Sequence, residues 1–461
     1  MKKILIVSFL LFTTNSIFSQ NKITISNINI AGNKVTEKEI ILREVLLIAG
    51  ESYEKSQIKE LISKSKENLV NLKLFNFIEI KENLTGNNMS ITIKVIERWY
   101  FWVFPIFELS NRNFNSWWKE LKESNYKDFS SVNYGLFLNW ENFRGKNQLL
   151  QIKIRKGFKE HYKFFYSIPY LNKKKTIGIE TSVELFRRKS SFYNTENNQL
   201  VYYTGNNYTT KDFELYTQVT YRKGINIKHD INIKYLVSNV DSNIANLNPN
   251  YLNNNLNTGS YIKTTYRFTN EHRDYVEYPL NGYYLMLELS KFIGDKSPIN
   301  HIEILGKAEK HITINNLFSL GSSFTSKISS AGFHPYFSQT GFGFNHYVRG
   351  YEYYVIDSQN FWLSKTILKL PIIKKRKFDV PFIKLQQFKK SHYSLYAGVF
   401  SDMGYAIEKQ NYEKNNLTNS FLWGNGIGID YLTYYDKLLR IEFSINRLGE
   451  KGVFLHLSNP F

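Results

Sequence analysis

At 461 residues the chain has room for two or three ordinary domains, or for one large barrel with an appendage. Cysteine is absent, which excludes a disulfide framework and thiolate metal sites. The formal charge of +20 would suit a nucleic-acid partner only if the basic residues formed a patch. They are instead scattered among apolar neighbours, as in Gln151-Ile-Lys-Ile-Arg-Lys156, so no nucleic acid is expected. Solvated lumen and loop faces suit them, with attraction to anionic lipid headgroups as a side effect.

The N-terminus reads as a secretory signal over residues 1–19. Lys2 and Lys3 precede an apolar run, Ile4 to Phe12, that is too short to span a bilayer. With no Cys behind it there is no lipid anchor, and the mature chain is expected to leave the cytoplasm. Residues 22–98 then read as a compact α+β unit. Ile23, Ile25, Ile28 and Ile30 alternate along an opening strand. Thr36-Glu-Lys-Glu39 has the form of a capping box, predicting a helix to about Ile48. The helical period returns over Ser56 to Leu72, and two strands, Phe75 to Glu82 and Met89 to Glu97, flank a Gly-Asn-Asn turn. The predicted order is βααββ.

From Trp99 the texture changes to period-two alternation broken by turn residues. The first strand spans Tyr100 to Ser110. Others are Val132 to Trp140, Leu149 to Lys156, Thr176 to Leu185, Phe213 to Tyr221, Ile231 to Tyr235 and Tyr261 to Phe268. The series continues through Tyr283 to Leu289, Ile302 to Ile312, Phe318 to Ser329 and Leu395 to Asp402. It closes with Gly426 to Tyr431, Leu438 to Ile445 and Gly452 to Phe461. No segment after the N-terminus is long and apolar enough for a membrane helix, while Tyr (33) and Phe (35) abound. Together these features predict a membrane β-barrel of about sixteen antiparallel strands over residues 99–461. Asn-rich Asn243 to Asn257 reads as an extracellular loop. Asn113 to Ser124 reads as a short amphipathic helix presenting Trp117 and Trp118 to an interface.

The secreted unit, with Ile30-Ala-Gly-Asn-Lys-Val-Thr36 and Ile41-Leu-Arg-Glu44, resembles a POTRA domain, a periplasmic module that precedes outer-membrane barrels. Val348-Arg349-Gly350-Tyr351 resembles the "(V/I)RG(F/Y)" loop tip of the BamA/TamA family of outer-membrane assembly proteins. Phe400-Ser-Asp402-Met-Gly404 resembles that family's "F-x-D-x-G" strand. Arg273-Asp274 with Pro279-Leu-Asn-Gly282, and the terminal Phe461, are also similar. The resemblance implies that the loop folds back into the lumen, where Arg349 pairs with Asp402. A charged Arg in a narrow lumen needs a carboxylate, and its planar fork suits a bidentate one. Gly350 lets the backbone approach the wall.

The closing strand carries the usual outward apolar residues in Val453, Leu455, Leu457 and Phe461. Asn459 and Pro460 interrupt it, and Pro105 removes an N–H from the first strand, so the seam between the two is expected to be weakly zipped. No G-x-S-x-G elbow, P-loop or H-E-x-x-H is present, and the nine histidines are dispersed without ligand spacing, so neither enzyme chemistry nor a cofactor is expected. Asp357 and Asp430 read as lumen or turn groups.

The resemblance implies an outer-membrane protein, its POTRA domain in the periplasm. It would insert or assemble client proteins, or translocate them, through client capture and a lateral seam. Its implied partners are outer-membrane lipids, unfolded outer-membrane or secreted clients, and accessory periplasmic or lipoprotein subunits. The alternative is a two-partner-type secretion pore for a dedicated passenger. Such pores usually have two POTRA domains and a plug helix, and too little chain separates the signal from the first strand here for such a helix. A passive porin is a third reading, against which the POTRA-like unit argues.

Overall fold

The computed structural model describes residues 22–109, 122–123, 125, 132–295, 299–315, 317–331, 334–339, 341–408 and 414–457. The signal at 1–19, most of the helix read over 113–124 (with Trp117 and Trp118), and Asn459, Pro460 and Phe461 lie outside them.

The N-terminal unit runs β1 (Lys22–Ala31), α1 (Lys38–Leu42), β2 (Ser52–Glu54), α2 (Lys55–Asn71), β3 (Phe75–Thr85) and β4 (Asn88–Glu97). Its sheet order is β2-β1-β4-β3, with β1 and β4 parallel. Alternation in β4 buries Met89, Ile91, Ile93 and Val95 against Ile25, Ile28, Ile40, Ile41, Ile58 and Leu69. Two expectations need correction. A short strand, β2, separates the helices, so the order is βαβαββ, and α1 stops at Leu42. The capping box does not form either: Glu37 is the N-cap and makes no side-chain cap. Glu97, at the end of β4, accepts instead from the amides of Lys34 (3.0 Å), Val35 (3.1 Å) and Thr36 (2.6 Å). A carboxylate from across the sheet thus satisfies the turn before α1.

Barrel-type strands follow as β5 (Phe101–Leu109), β6 (Val132–Phe143), β7 (Gln148–Gly157), β8 (Lys159–Ile168) and β9 (Ile177–Arg188). A two-stranded hairpin, β10 (Ser190–Glu196) and β11 (Gln199–Thr204), stands apart from the main sheet. Next come β12 (Thr210–Tyr221), β13 (Ile227–Val240), β14 (Thr258–Glu271), β15 (Gly282–Gly294), β16 (Asn300–Thr313) and β17 (Ser319–Ser329). The last are β18 (Asn360–Asp379), β19 (Lys390–Ile407), β20 (Phe421–Thr433), β21 (Lys437–Asn446) and β22 (Lys451–His456). Apart from that hairpin, each strand pairs antiparallel with its neighbour in sequence, giving one sixteen-stranded sheet.

Two strands of the sixteen-stranded sheet, and the β10–β11 hairpin, went unread in the sequence. In β8 a run of aromatics hides the alternation, and in β18 Pro371 and a basic stretch do. The Asn-rich stretch is not a bare loop: it holds α3 (Ser242–Leu247) and buries Ile244, Tyr251 and Leu252 with Tyr336.

Period two sorts side chains between two solvents. On β15, Leu285, Leu287 and Leu289 are exposed outward, while Glu288 and Ser290 are buried on the inner face. Phe213, Leu215, Val219 and Tyr221 of β12 also face outward. Many inner charges are paired across strands, as in Lys163–Glu184 (2.7 Å), Arg188–Asp212 (2.6 Å) and Lys234–Glu214 (2.8 Å). Scattered basic residues thus find carboxylates at matching heights.

The sheet ends at β5 and β22, and among the described residues no ladder joins them. Pro105 sits in that edge strand opposite Leu136 without a register shift. The N-terminal unit lies against the turns at one end of the sheet. Arg222 grips Glu44 with both terminal nitrogens (2.8 and 3.0 Å), and Arg43 donates to the Gly224 carbonyl (2.8 Å). Arg98 meets Asp436 (2.6 Å), and Asn142 donates to Thr36 Oγ1 (2.9 Å).

Candidate functional site

The site is built on residues 341–359, which leave β17 and return to β18. The amides and carbonyls of Phe342 and Ile356 exchange two hydrogen bonds of 2.9 Å, pinching the loop at its base. Phe342, Val348, Tyr351 and Ile356 are buried, and they pack with Phe361, Leu363, Ala406, Leu417 and Leu422 of the wall. An apolar cluster therefore draws the loop inward and sets the Val348–Tyr351 tip against β19 to β21.

At the tip the Arg349 side chain is 1% exposed and that of Asp402 0%. Arg349 donates from Nη2 to Asp402 Oδ1 (2.6 Å) and from Nε to Oδ2 (2.8 Å), and its backbone amide also reaches Oδ2 (3.2 Å). The guanidinium carbon lies 3.9 Å from the centre of the Phe400 ring, a cation–π contact. Its remaining arm, Nη1, donates to Glu442 Oε1 (3.2 Å). Lys365 Nζ stands 3.9 Å from Asp402 Oδ2. The expected Arg349–Asp402 pair is present, and it belongs to a larger set.

Gly350 adopts φ +92°, in the region that side chains avoid, and its carbonyl accepts from Asn446 Nδ2 (2.9 Å). Opposite it, a Cβ on Gly424 would stand 1.8 Å from the Arg349 carbonyl oxygen, so only glycine lets the tip lie this close to the wall. Gly404 faces Val348 and Phe342. Tyr351 donates to the Trp423 carbonyl at 3.4 Å. Val453, Leu455 and Leu457 are 64–79% exposed, as outward residues of a closing strand should be. Phe461 lies outside the described residues.

Glu442, Arg440, Glu352 and His456 had escaped the sequence reading. Glu442 Oε1 lies 3.5 Å from Arg440 Nη1, and Arg440 chelates Asp430 through Nε (2.5 Å) and Nη2 (2.6 Å). Asp430 accepts from the Tyr278 hydroxyl (2.8 Å), and Tyr278 belongs to the β14–β15 turn at the opposite end of the sheet. That turn contains the Arg273-Asp274 … Gly282 motif; Arg273 pairs with Glu309 (2.7 Å) and with Glu271. On the tip side, His456 of β22 has Nε2 3.2 Å from Glu442 Oε2 and 3.6 Å from Glu352 Oε1. The available signal was polarity at alternate positions of β21, Arg440, Glu442, Ser444 and Asn446, between the apolar Leu439, Ile441, Phe443 and Ile445.

A family model described as POTRA, surface antigen variable number repeat, matches residues 23–98. BamA from Haemophilus ducreyi lacking POTRA domains 1-3 is similar in structure, with a TM-score of 0.52 and 13% identity over 94% of this chain and 83% of that one. In fold the chain is BamA/TamA-like. CdiB from Escherichia coli aligns with a TM-score of 0.49 and 10% identity, over 95% of this chain and 74% of that one. CdiB from Acinetobacter baumannii gives a TM-score of 0.47 at 11% identity, with the same coverage. No curated protein sequence matches. In this BamA-like fold the POTRA domain covers the turn end of the sheet, and the Arg349 tip occupies the inner face.

Proposed function

We propose that the protein inserts or assembles client proteins in the outer membrane, with its POTRA domain on the periplasmic side. The observation that carries this reading is the open edge: β5 and β22 share no ladder among the described residues. Lipid offers no hydrogen bonds to a bare strand edge, so a client strand that satisfies that edge is drawn into it. The POTRA sheet ends on one side in the eleven-residue β3, long enough for an unfolded client to add as a further strand. Binding and release then need only strand exchange, with no catalytic residue and no cofactor.

The packed inner face argues against a passive pore, since the Arg349 tip and the Tyr278 turn enter it from opposite ends. Depletion of the protein, followed by comparison of the outer-membrane proteome, tests the reading. Broad loss of barrel proteins is expected. Loss of a single secreted protein would overturn general assembly and mark a dedicated two-partner-type exporter instead.

A further inference from the structure

Among the described residues, two groups bring three metal-ligand side chains together: Glu352, Glu442 and His456, and His301, Glu303 and His334. The first belongs to the lumen network, where Arg349 and Arg440 already approach Glu442 within 3.5 Å. The second lies apart from it. His301 and Glu303 point inward from the start of β16, and His334 comes from the stretch that leads from β17 towards the Arg349 tip.

Both imidazoles are buried, with His301 1% and His334 3% exposed. Their ring centres are 3.9 Å apart. His334 Nε2 lies 3.3 Å from the Ser330 carbonyl. A carbonyl can only accept, so Nε2 carries the proton and the lone pair is left on Nδ1. Metal-bound histidines are commonly oriented in this way, by a carbonyl on the far nitrogen. His301 Nδ1 is shielded from solvent and has no hydrogen-bond partner, although a buried ring nitrogen ordinarily has one. The other nitrogen of His301, Nε2, is 3.5 Å from Glu303 Oε1, and one ligand atom from each of the three residues lies within 4.8 Å of the others. Ligands about 2.0–2.1 Å from a tetrahedral zinc stand roughly 3.3 Å apart, so small side-chain adjustments suffice.

We propose that His301, Glu303 and His334 form a site for a borderline divalent cation of the zinc type. Two nitrogens and one carboxylate oxygen make a donor set for such an ion rather than for calcium or magnesium. Glu303, with its side chain 16% exposed, is the member open to solvent, where a water can complete the coordination. Lys327 and Lys263 are the cations facing Glu303. Lys263 is engaged with Glu288 (3.7 Å) and Lys327 with the Ser358 carbonyl (3.4 Å). Their charge holds the affinity below that of a closed structural zinc site. A bound ion ties the strand-leaving end of the tip-bearing loop to β16.

The test is calorimetric titration of Zn²⁺ into full-length protein in detergent micelles, prepared without a histidine tag and stripped by chelator. One zinc per chain is expected. His334→Gln, which keeps a polar side chain of similar size, should weaken binding by more than roughly tenfold, the toll even of changes one shell further out. His301→Gln should do the same, and His456→Gln should leave the titration unchanged. Co²⁺ in place of zinc should give the visible absorption of a tetrahedral nitrogen-oxygen site, absent in His334→Gln. No zinc uptake by the parent protein, or uptake that survives His334→Gln, would overturn the assignment. So would uptake lost only in His456→Gln.

Discussion

Arg349 is held by five interactions of different kinds: two side-chain bonds to Asp402, one to Glu442, its own amide on Asp402, and the Phe400 face. Such a charge is stable in a buried place because each of its arms has an acceptor. Removing one member strands the others, which costs about 3–5 kcal/mol where the site is dry. Arg349→Ala should therefore lower the unfolding temperature and open residues 341–359 to limited proteolysis, and Asp402→Ala should resemble it. Arg349→Lys should restore little, because an ammonium cannot span Asp402 and Glu442 at once. If the alanine variant keeps both its melting point and its protease resistance, the apolar cluster around Val348 and Tyr351 holds the loop instead. Arg349 and Asp402 could be read in the sequence because their flanking residues form motifs. Glu442 could not, because its place beside Arg349 depends on register through β19, β20 and β21, and no local pattern states a register across three strands.

Among the elements, the strands with clean alternation were legible and those with mixed faces were not. β15 announces itself through Leu285, Leu287 and Leu289, whereas Lys374 to Lys377 in β18 hides the alternation under consecutive basic residues. The POTRA domain was legible as a unit, and one residue just past it also packs there. Tyr100, beyond β4, is buried in the POTRA core; its hydroxyl donates to the Leu74 carbonyl (2.8 Å) and lies 3.1 Å from Thr36 Oγ1. Burial pushes that phenol well above its ordinary pKa, so it stays protonated and able to donate. A fragment of residues 22–98 should fold, giving a dispersed amide spectrum with both helix and strand. A fragment of residues 22–100 should be more stable by about 3–5 kcal/mol, the usual cost of leaving an aromatic-sized cavity. Equal melting curves for the two fragments would show that Tyr100 contributes nothing without the barrel. A disordered spectrum for both would show that Glu44, Arg98 and Thr36 need their partners on the turns before the domain can form.

At the scale of the whole molecule, polar contacts run from the POTRA domain to the loop tip. Arg98 meets Asp436, which accepts from Tyr275; Tyr278 of the same turn meets Asp430, and Arg440 and Glu442 lead on to Arg349. Its central members, Asp430, Arg440 and Glu442, stand on β20 and β21, beside the open edge. β22 adds His456 to it and is otherwise held on one side by its ladder with β21. The opposite edge, β5, is held among the described residues by the ladder of β6 alone, with Pro105 lacking an N–H to offer a newcomer. Movement between the edges therefore disturbs few bonds, whereas separating any other neighbouring pair breaks a ladder. Single cysteines placed along β5 and β22 can be paired without interference, since the chain has none of its own. Pairs that form a disulfide should block client insertion, and reductant should restore it, while a pair bridging β15 and β16 should be harmless in both states. Full activity with the β5–β22 disulfide intact would rule out passage between the edges and leave only a route through the inner face. That route would require the Arg349 tip to withdraw, so Arg349→Ala would then speed transport rather than impair it.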